Sequence, residues 1–308
     1  MIANINYGKA NVSFYRTYAR PFTSALPIPE SAFTGRPNTL FACSVDVDVL
    51  GDHFARAYTH GDNSSVVATD TMKNFIHRMA LDYEGSTLEG FLHFLGRRFF
   101  DTWPEMRSLR ISGRELPFTA ARVPVGDGEA FADSEALFSR GRGEFAVATI
   151  EIEREGAGAR VTDHRCGCEQ LQLIKITGSS FARFVRDEYT TLPETVDRPL
   201  FIYLDVYWKY ADVADAISAQ PARYIPAEQA RDLVQVVFHE FVSMSIQHLV
   251  HEMGQRLLGR LPQMAEVSFV AQNRLWDTAA VSEADDRIKV YCDPRPPYGQ
   301  IGLRLRRE

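Results

Sequence analysis

The sequence predicts an α+β protein built from two antiparallel sheets, each with a pair of helices on one face. Two observations lead to this prediction. Segments with apolar residues at every second position alternate with segments whose apolar residues recur every three to four positions, and this difference separates strands from helices. The order of two strands, two helices and two strands also occurs twice along the 308 residues, although no repeat of the residues themselves is visible.

The first half contains the clearest strand, in which Phe41, Cys43 and Val45 alternate with small or polar residues. Such alternation is typical of a strand with one buried face. The segment 119–144 is rich in glycine, alanine and charged residues and is predicted to be an exposed loop. The predicted strands of this half are residues 12–18, 40–50, 106–117 and 145–153.

Two helices are predicted between the second and third strands. Thr69 is predicted as the N-cap of the first, because a threonine oxygen accepts a hydrogen bond from a free backbone N–H at a helix start. Ser86 and Glu89 have the spacing of a capping box at the start of the second. The predicted buried faces hold Met72, Ile76 and Met79 in the first helix, and Leu88, Phe91, Leu92, Leu95 and Phe99 in the second.

The segment 153–160, with two glycines and two alanines, is the predicted boundary between domains of residues 1–155 and 156–308. Ser245 is predicted to cap the second helix of the second domain. Open antiparallel sheets of this kind also favour subunits that complete one another edge to edge. The predicted strands of this half are residues 171–177, 198–210, 265–272 and 287–292, and the predicted helices are residues 226–241 and 245–259.

Composition narrows the function classes. Apolar residues make up 45% of the chain and charged residues 24%, which is typical of a soluble globular protein with a core. The net charge of −6 and the lack of a basic tract disfavour nucleic acid as a partner. No apolar run reaches membrane-spanning length, no signal peptide is visible and the C-terminus carries no peroxisomal signal, so a cytoplasmic protein is expected.

One stretch combines an aromatic ring with a cation close to a predicted strand. Phe181 and Arg198 flank a predicted helical turn and loop that lead into the strand 198–210. A ring that stacks and a planar guanidinium that binds an anion with two hydrogen bonds together suit a flat, negatively charged heterocycle. The structural alternative is a core phenylalanine and an arginine paired with Asp187 or Glu188.

Five segments resemble the motif series of the urate oxidase (uricase) family, in the family's order and over nearly the whole chain. The segments containing Ala68-Thr69-Asp70 and Arg186-Asp187-Glu188 are the most specific, whereas the shorter motifs carry little weight alone. The five segments are Tyr7-Gly8-Lys9, DNSSVVATDTMKN at 62–74, FARFVRDEYTTLPETVDR at 181–198, SIQHLVHEM at 245–253 and Gln272-Asn273.

The resemblance implies two tandem T-fold domains per chain, assembled into a homotetramer with a central tunnel and with active sites between subunits. It implies oxidation of urate by dioxygen and water to 5-hydroxyisourate and hydrogen peroxide, without metal or organic cofactor. By the same resemblance, Phe181 stacks on the purine, Arg198 pairs with its anionic edge and Gln247 bonds the opposite edge. The Ile246 backbone N–H also binds the purine, and Asn273 holds dioxygen or water above the ring.

The resemblance assigns three residues of the neighbouring subunit to the same site: Thr69, the backbone of Asp70, and Lys9. We interpret Lys9 and Thr69 as a proton relay, because a lysine kept neutral by burial accepts the proton that a threonine hydroxyl passes on. Considered singly, Thr69 is a helix cap, Lys9 a solvated surface residue and Asn273 a turn residue at a strand end.

The sequence departs from the family pattern at one site position. Many members carry a histidine two residues after the site asparagine, completing a triad with the lysine and the threonine, and Leu275 stands there in this chain. Leucine neither accepts nor donates a proton. The departure leaves binding intact and weakens the predicted proton path, so a purine-binding homologue with reduced or lost turnover is an alternative function.

A zinc-dependent T-fold enzyme acting on pterins is a second alternative, since one fold serves many functions. His164, Cys166 and Cys168 are the candidate ligands, but Cys-x-Cys lacks the wider spacing of structural zinc sites, and a loop or strand-end thiol pair is the preferred interpretation. His251 and Glu252 are not in the H-E-x-x-H order of zinc proteases, and this helix face, which includes His248, is predicted to be solvated.

Overall fold

The computed structural model describes residues 4–23, 25–37, 39–141, 143–156, 158–218 and 222–307. The chain divides into two compact units. Unit 1 consists of Met1–Pro27, Phe33–Gly167 and Lys209–Ile225, and unit 2 of Ile28–Ala32, Cys168–Trp208 and Pro226–Glu308. These units do not follow a single cut through the sequence, and the division into residues 1–155 and 156–308 therefore stays a prediction about the domains.

The sheet of unit 1 has the spatial order β1-β2-β3-β6-β7, and the pairs β1–β2, β2–β3 and β3–β6 are antiparallel. Helices α2 and α3 pack on one face of it, as predicted. The elements are β1 (Asn6–Thr17), β2 (Leu40–Leu50), α1 (Ala55–His60), α2 (Thr69–Asp82), α3 (Leu88–Thr102), β3 (Ser108–Glu115), β4 (Phe118–Val125), β5 (Ala130–Arg140), β6 (Phe145–Glu155) and β7 (Gly158–Lys175).

The core of unit 1 confirms the predicted helix faces and the alternation of β2. Cys43, Val45 and Val47 of β2 are at most 1% exposed. The predicted apolar positions of α2 and α3 all lie in the same core cluster. Antiparallel pairing with one face covered by helices requires this pattern, because side chains in a strand point alternately to the two faces.

The predicted exposed loop at 119–144 is wrong, because most of this segment forms the antiparallel hairpin β4–β5. Its residues are mostly exposed or only half-buried. A two-stranded ribbon without a covered face needs no alternation of apolar and polar residues. The signal by which the other strands were recognised is therefore missing here.

Both predicted caps of unit 1 are displaced by one residue. Thr69 is the first residue of α2, and the N-cap is Ala68, which has no side-chain hydrogen bond to the helix. In α3 the cap is Thr87, whose hydroxyl oxygen accepts from the Gly90 N–H at 3.2 Å. Glu89 does not complete a capping box. It is 3% exposed and its carboxylate accepts a hydrogen bond from the Tyr224 hydroxyl at 2.8 Å.

Burial raises the pKa of Glu89 from its ordinary value of 4.5 to about 7. A carboxyl whose pKa is higher in the folded protein than in the unfolded chain lowers the free energy of unfolding as the pH rises from about 4.5 to about 7. We expect Glu89→Gln to reduce this loss of stability, which amounts to roughly 1.4 kcal/mol per pKa unit. Urea unfolding at pH 5 and pH 8 measures it, and an equal loss in both proteins contradicts the expectation.

The sheet of unit 2 has the order β7-β8-β9-β12, and α5 and α6 pack together, with α6 against β9 and β12. Strands β7 and β8 each contain residues of both units, and α4 belongs to unit 1. The remaining elements are β8 (Leu200–Tyr210), α4 (Ala214–Ile217), α5 (Ala227–Glu240), α6 (Ile246–Arg260), β9 (Met264–Leu275), β10 (Thr278–Val281), β11 (Lys289–Tyr291) and β12 (Arg295–Arg306). No helix among the described residues is long and apolar enough to cross a membrane.

Strand β8 confirms the predicted alternation, with every second residue from Leu200 to Tyr210 buried. The closing strand was predicted wrongly. Residues 289–291 pair with β10 in a small separate ribbon, and β12 pairs with β9 instead. Strand β12 begins with two prolines and is exposed over its first half, so it shows little alternation to recognise. Strand β7 is also much longer than the predicted residues 171–177.

Candidate active site

The connection between β7 and β8 carries Phe181 and Arg198. The guanidinium carbon of Arg198 lies 5.4 Å from the centroid of the Phe181 ring, and both residues are half-buried. The predicted helical turn between them is wrong, because residues 181–198 form bends, one turn and isolated bridges but no helix. The predicted juxtaposition of the ring and the cation is nevertheless present.

Backbone hydrogen bonds hold this ring and this cation in place. The Phe181 N–H donates to the Thr195 carbonyl at 2.8 Å, and the Thr195 N–H donates back to the Phe181 carbonyl at 2.9 Å. The Arg198 N–H donates to the Ser179 carbonyl at 2.8 Å. We call the segments that contain Ser179, Phe181, Thr195 and Arg198 the site frame. Because these hydrogen bonds fix both ends of the loop, the Phe181 and Arg198 side chains have few alternative positions.

Asp197 braces the site frame next to Arg198, and the sequence analysis missed it. Its carboxylate accepts from the Gly178 N–H at 2.6 Å and from the Thr177 hydroxyl at 2.7 Å. The Thr177 hydrogen bond is the main reason that the pKa of Asp197 is lowered. Gly178 has φ +79°, a conformation that favours glycine over other residues. Because Thr177 and Gly178 are far from Asp197 in the sequence, no local pattern of residues indicates these contacts.

A second set of hydrogen bonds joins the site frame to the start of α6. The Ser180 N–H donates to the Ser243 carbonyl at 2.8 Å, and Ser179 and Ser243 form a parallel bridge. Ser245 caps α6 as predicted, its hydroxyl oxygen accepting from the His248 N–H at 3.1 Å. The frame therefore holds the Phe181 segment in a defined relation to the first turn of α6.

Ile246 and Gln247 are the first two residues of α6. Backbone N–H groups at these positions have no acceptor inside the helix, and the helix dipole adds partial positive charge there. Ile246 has a buried side chain, so the backbone N–H is the group it offers, whereas the Gln247 side chain is exposed. The helix start thus provides donors for an anionic or polar ligand edge.

The positive charge of Arg198 has no ion-pair partner among the described residues. Among the described residues it forms no ion pair with Asp187 or Glu188, and its Nε is buried without a hydrogen-bond partner. The Asp187 carboxylate instead accepts from the Tyr189 N–H and the Thr190 hydroxyl, both at 3.0 Å. Burial lowers the pKa of Arg198, but a guanidinium remains charged near neutral pH. A half-buried cation with no ion pair among the described residues, beside an aromatic ring, favours a planar anion as ligand.

Phe184 limits the faces of the Phe181 ring that a ligand can use. The two rings are stacked, with centroids 4.9 Å apart and planes inclined by 14°. Phe184 therefore covers one face of Phe181, and only the opposite face is left for a stacked ligand. This neighbour was not identified in the sequence, because two aromatic residues three apart in a loop follow no periodic pattern.

Asn273 lies near the end of β9 and is half-buried. Within the described residues its side chain forms no hydrogen bond, so both its amide donor and its amide acceptor are open to a ligand. Arg274 points to the other face of the strand, with its guanidinium carbon 4.3 Å from the Tyr203 ring centroid and 3.9 Å from that of Tyr298. The side chain of Leu275, the position of the family's histidine, lies outside the described residues.

Lys9, Thr69 and Asp70 belong to unit 1, where β1 and the start of α2 meet. The Val67 N–H donates to the Tyr7 hydroxyl at 3.1 Å. Lys9 follows Tyr7 by two positions, and such residues point to the same side of a strand. Thr69 follows Val67 by two positions at the start of α2. This hydrogen bond therefore brings the segment that contains Lys9 close to the segment that contains Thr69.

Asp70 supports this placement. Its carboxylate accepts from Lys73 at 2.5 Å and from Asn74 at 3.2 Å. Lys73 is the main cause of the lowered pKa of Asp70, and the charge of Lys9 also contributes. Because neighbours on α2 engage the carboxylate, the group that Asp70 offers to a ligand is its backbone N–H at the start of the helix.

The candidate zinc ligands lie within strand β7, so their predicted loop or strand-end position is wrong. His164 Nε2 accepts a hydrogen bond from the Tyr210 N–H at 2.8 Å. Cys166 and Cys168 are buried, and burial raises the pKa of the Cys166 thiol. Over the part of the chain that the structure describes, no three His, Cys, Asp or Glu side chains form a group able to hold a metal ion.

Comparison with known proteins gives one consistent result. A family model for uricase matches residues 5–139 and 164–302. The chain is 44% identical over its full length to the bifunctional uric acid degradation protein PucL of Bacillus subtilis, of which it spans only 62%. It is 45% identical to a uricase of Halalkalicoccus jeotgali, covering 96% of this chain and 95% of that one.

The structural comparison agrees. The crystal structure of urate oxidase from Bacillus sp. TB-90 superimposes with a TM-score of 0.94 at 42% identity, covering 99% of this chain and 100% of that one. The predicted tandem T-fold architecture is thereby confirmed. The chain belongs to the uricase family.

Proposed function

We propose that this chain oxidises urate with dioxygen and water to 5-hydroxyisourate and hydrogen peroxide, without a metal or an organic cofactor. One observation carries the proposal: the guanidinium of Arg198, which has no ion pair among the described residues, lies 5.4 Å from the Phe181 ring centroid in a chain of the uricase family. Urate is a flat purine that is already an anion near neutral pH. It therefore matches both the charge and the shape that this pair favours.

Binding is assigned to the site frame and its neighbours. Arg198 pairs with the anionic edge of urate, and the open face of Phe181 stacks on the purine. Gln247 and the Ile246 N–H bind from the start of α6, and Asn273 holds dioxygen or water above the ring. Each hydrogen bond to a charged ligand group contributes roughly 1.5–3 kcal/mol, so a few of them together with stacking give about micromolar affinity.

Proton transfer is assigned to Lys9 and Thr69 of a neighbouring subunit, and the Asp70 backbone N–H of that subunit is assigned to urate binding. Removal of a further proton makes urate electron-rich enough to reduce dioxygen. Threonine passes that proton to lysine, which acts as the general base. This role requires an assembly in which unit 1 of one subunit meets unit 2 of another, and we propose a homotetramer with active sites at subunit interfaces.

Leu275 favours a second candidate function, a purine-binding protein with reduced or lost turnover. Where many members of the family have a histidine, this chain has a leucine, whose side chain neither accepts nor donates a proton. An ordered water serving in its place preserves the reaction. Without such a water, the chain binds urate but turns it over slowly.

One assay separates the two candidates. If the chain is an active oxidase, the ultraviolet absorbance of urate falls while oxygen uptake and peroxide release match it one for one. Calorimetry with urate under nitrogen tests binding separately. Binding without oxygen uptake supports the purine-binding homologue, and neither binding nor uptake contradicts both. Metal analysis of the purified protein tests the zinc-dependent alternative, which the structure does not favour.

We expect Asp197→Ala to weaken urate binding more than it lowers the thermal stability. Asp197 is exposed, so losing its carboxylate costs little core packing, but the Gly178 and Thr177 contacts that orient the Arg198 backbone are lost. The measurements are the apparent urate Kd under nitrogen and the Tm. Asp285→Ala, which removes a half-buried carboxylate bonded to Arg287, is the control. Equal Kd values for Asp197→Ala and the parent contradict the bracing role.

A further inference from the structure

The same local backbone geometry occurs in both units, although no pattern of residues in the sequence reveals it. Asn11 in β1 and Gln170 in β7 have positive φ angles of 56° and 64°. The Asn11 N–H donates to the Asp46 carboxylate at 2.5 Å, and the Gln170 N–H donates to the Asp205 carboxylate at 2.8 Å. Both pairs are separated by 35 residues. Corresponding positions in the first two strands of each unit therefore differ by 159 (170 − 11).

The helices and the closing strands repeat as well. Thr87 caps α3 and Ser245 caps α6, and both helices have 15 residues, which sets a shift of 158 (245 − 87). Arg154 and Arg307 each donate to three carbonyls at the ends of these helices and just beyond them, and the carbonyls are related by the same shift of 158. Those carbonyls belong to Phe100, Trp103 and Met106 in unit 1, and to Leu258, Leu261 and Met264 in unit 2.

These shifts assign counterparts in unit 1 to the site residues of unit 2. The shift of 159 relates Phe22 to Phe181. The shift of 158 relates Glu89 to Gln247 and Glu115 to Asn273. The shift of 159 also relates Arg36 to Thr195, since Arg36 exchanges two backbone hydrogen bonds with Phe22 as Thr195 does with Phe181. Arg36 and Arg198 are therefore not equivalent positions, although each precedes the second strand of its unit.

In unit 1, the chain's own side chains occupy the region that corresponds to the candidate ligand site of unit 2. Arg36 binds the Glu115 carboxylate through two hydrogen bonds of 2.6 and 2.8 Å, so an internal anion neutralises it, whereas Arg198 has no ion pair within the part of the chain that the structure describes. The Phe22 ring is 1% exposed, and the Tyr224 ring contacts it edge to face, with centroids 5.4 Å apart. The Tyr224 hydroxyl donates to Glu89 at 2.8 Å.

We propose that unit 1 contains a second, closed copy of the site frame, in which the phenol ring of Tyr224 occupies the ligand position between Phe22 and Glu89. Removing that ring opens a site for a small neutral phenol. The two frames also differ in charge: Arg36 binds the Glu115 carboxylate, whereas Arg198 has no ion pair among the described residues. This proposal does not depend on which ligand unit 2 binds.

The test is thermal unfolding of full-length Tyr224→Gly in buffer, in phenol and in toluene. We expect a lower Tm than that of the parent protein, because a buried ring is lost. Phenol fills the cavity and donates to Glu89, so it should raise the Tm of the variant by several degrees while leaving the parent unchanged. Toluene has the same ring without the donor and should raise the Tm less. No rise with phenol, or an equal rise with both, overturns the proposal.

A second variant keeps the proposal testable if Tyr224→Gly does not fold. Tyr224→Phe retains the ring and deprives the Glu89 carboxylate of its donor. The fall in Tm should be small at pH 5.5, where Glu89 is protonated, and larger at pH 8.5, where it is ionised. The matched control is Tyr83→Phe, since the Tyr83 hydroxyl donates to the uncharged Thr87 carbonyl at 3.0 Å. A fall that does not change with pH for Tyr224→Phe overturns the assigned contact.

Discussion

Lys9→Met is expected to lower kcat for urate oxidation by roughly 10²–10⁴-fold, the range that a positioned general base contributes. Methionine has a similar length and fills a similar volume, but it accepts no proton. Because the proposed site holds urate through Arg198 and Phe181 of another subunit, its affinity should change little. Steady-state oxygen uptake gives kcat, and calorimetry under nitrogen gives the dissociation constant.

The control for this variant is Lys289→Met, which removes an exposed lysine from the small ribbon formed by β10 and β11. Its turnover should equal that of the parent. Unchanged turnover in Lys9→Met would remove the proposed relay. A matching loss of urate affinity would instead assign Lys9 to binding, because such a change affects the ground state and the transition state alike.

Arg198→Gln is expected to raise the dissociation constant for urate by roughly 10–100-fold, since one or more charge-assisted hydrogen bonds of about 1.5–3 kcal/mol are lost. The folded structure should tolerate the change, because Arg198 forms no ion pair among the described residues. The Tm of the variant should therefore stay close to that of the parent. A large fall in Tm with unchanged affinity for urate contradicts the role assigned to this residue.

Two further substitutions sharpen this prediction. Arg198→Lys keeps the charge and removes the planar fork, so it should recover part of the affinity if the charge matters and little if paired hydrogen bonds dominate. Arg186→Gln is the matched control, because Arg186 is an exposed arginine of the same loop. It should leave both the dissociation constant and kcat unchanged.

Much of the fold was predictable because burial imposes a period on the sequence. Strands β2 and β8 have one face under helices, so their apolar residues alternate and their extent was predicted closely. The β4–β5 ribbon and the first half of β12 lack a covered face, and their sequences carry no such period. Ser245 was predicted as a cap in the right position. The cap of α3 was misplaced by one residue because Ser86 and its neighbour Thr87 are equally suited to cap a helix, whereas α2 follows Ala68, which has no side-chain cap.

The site was predictable in part, and for a different reason. Phe181 and Arg198 were chosen from their chemistry and from the family resemblance, and the structure places them 5.4 Å apart. Asp197, Ser243 and Phe184, which brace or flank them, were not predicted. A hydrogen bond between residues that are far apart in the sequence leaves no local pattern to read.

The sequence by itself determined the family, the α+β class and the faces of the main helices and strands, because these depend on local periodicity and on a specific order of motifs. Only the tertiary structure decided which charges find partners. Arg36 and Arg198 are both arginines that precede a long strand. Glu115 neutralises the first, whereas the second is half-buried and has no ion pair among the described residues, because the partner depends on which segments meet in the fold.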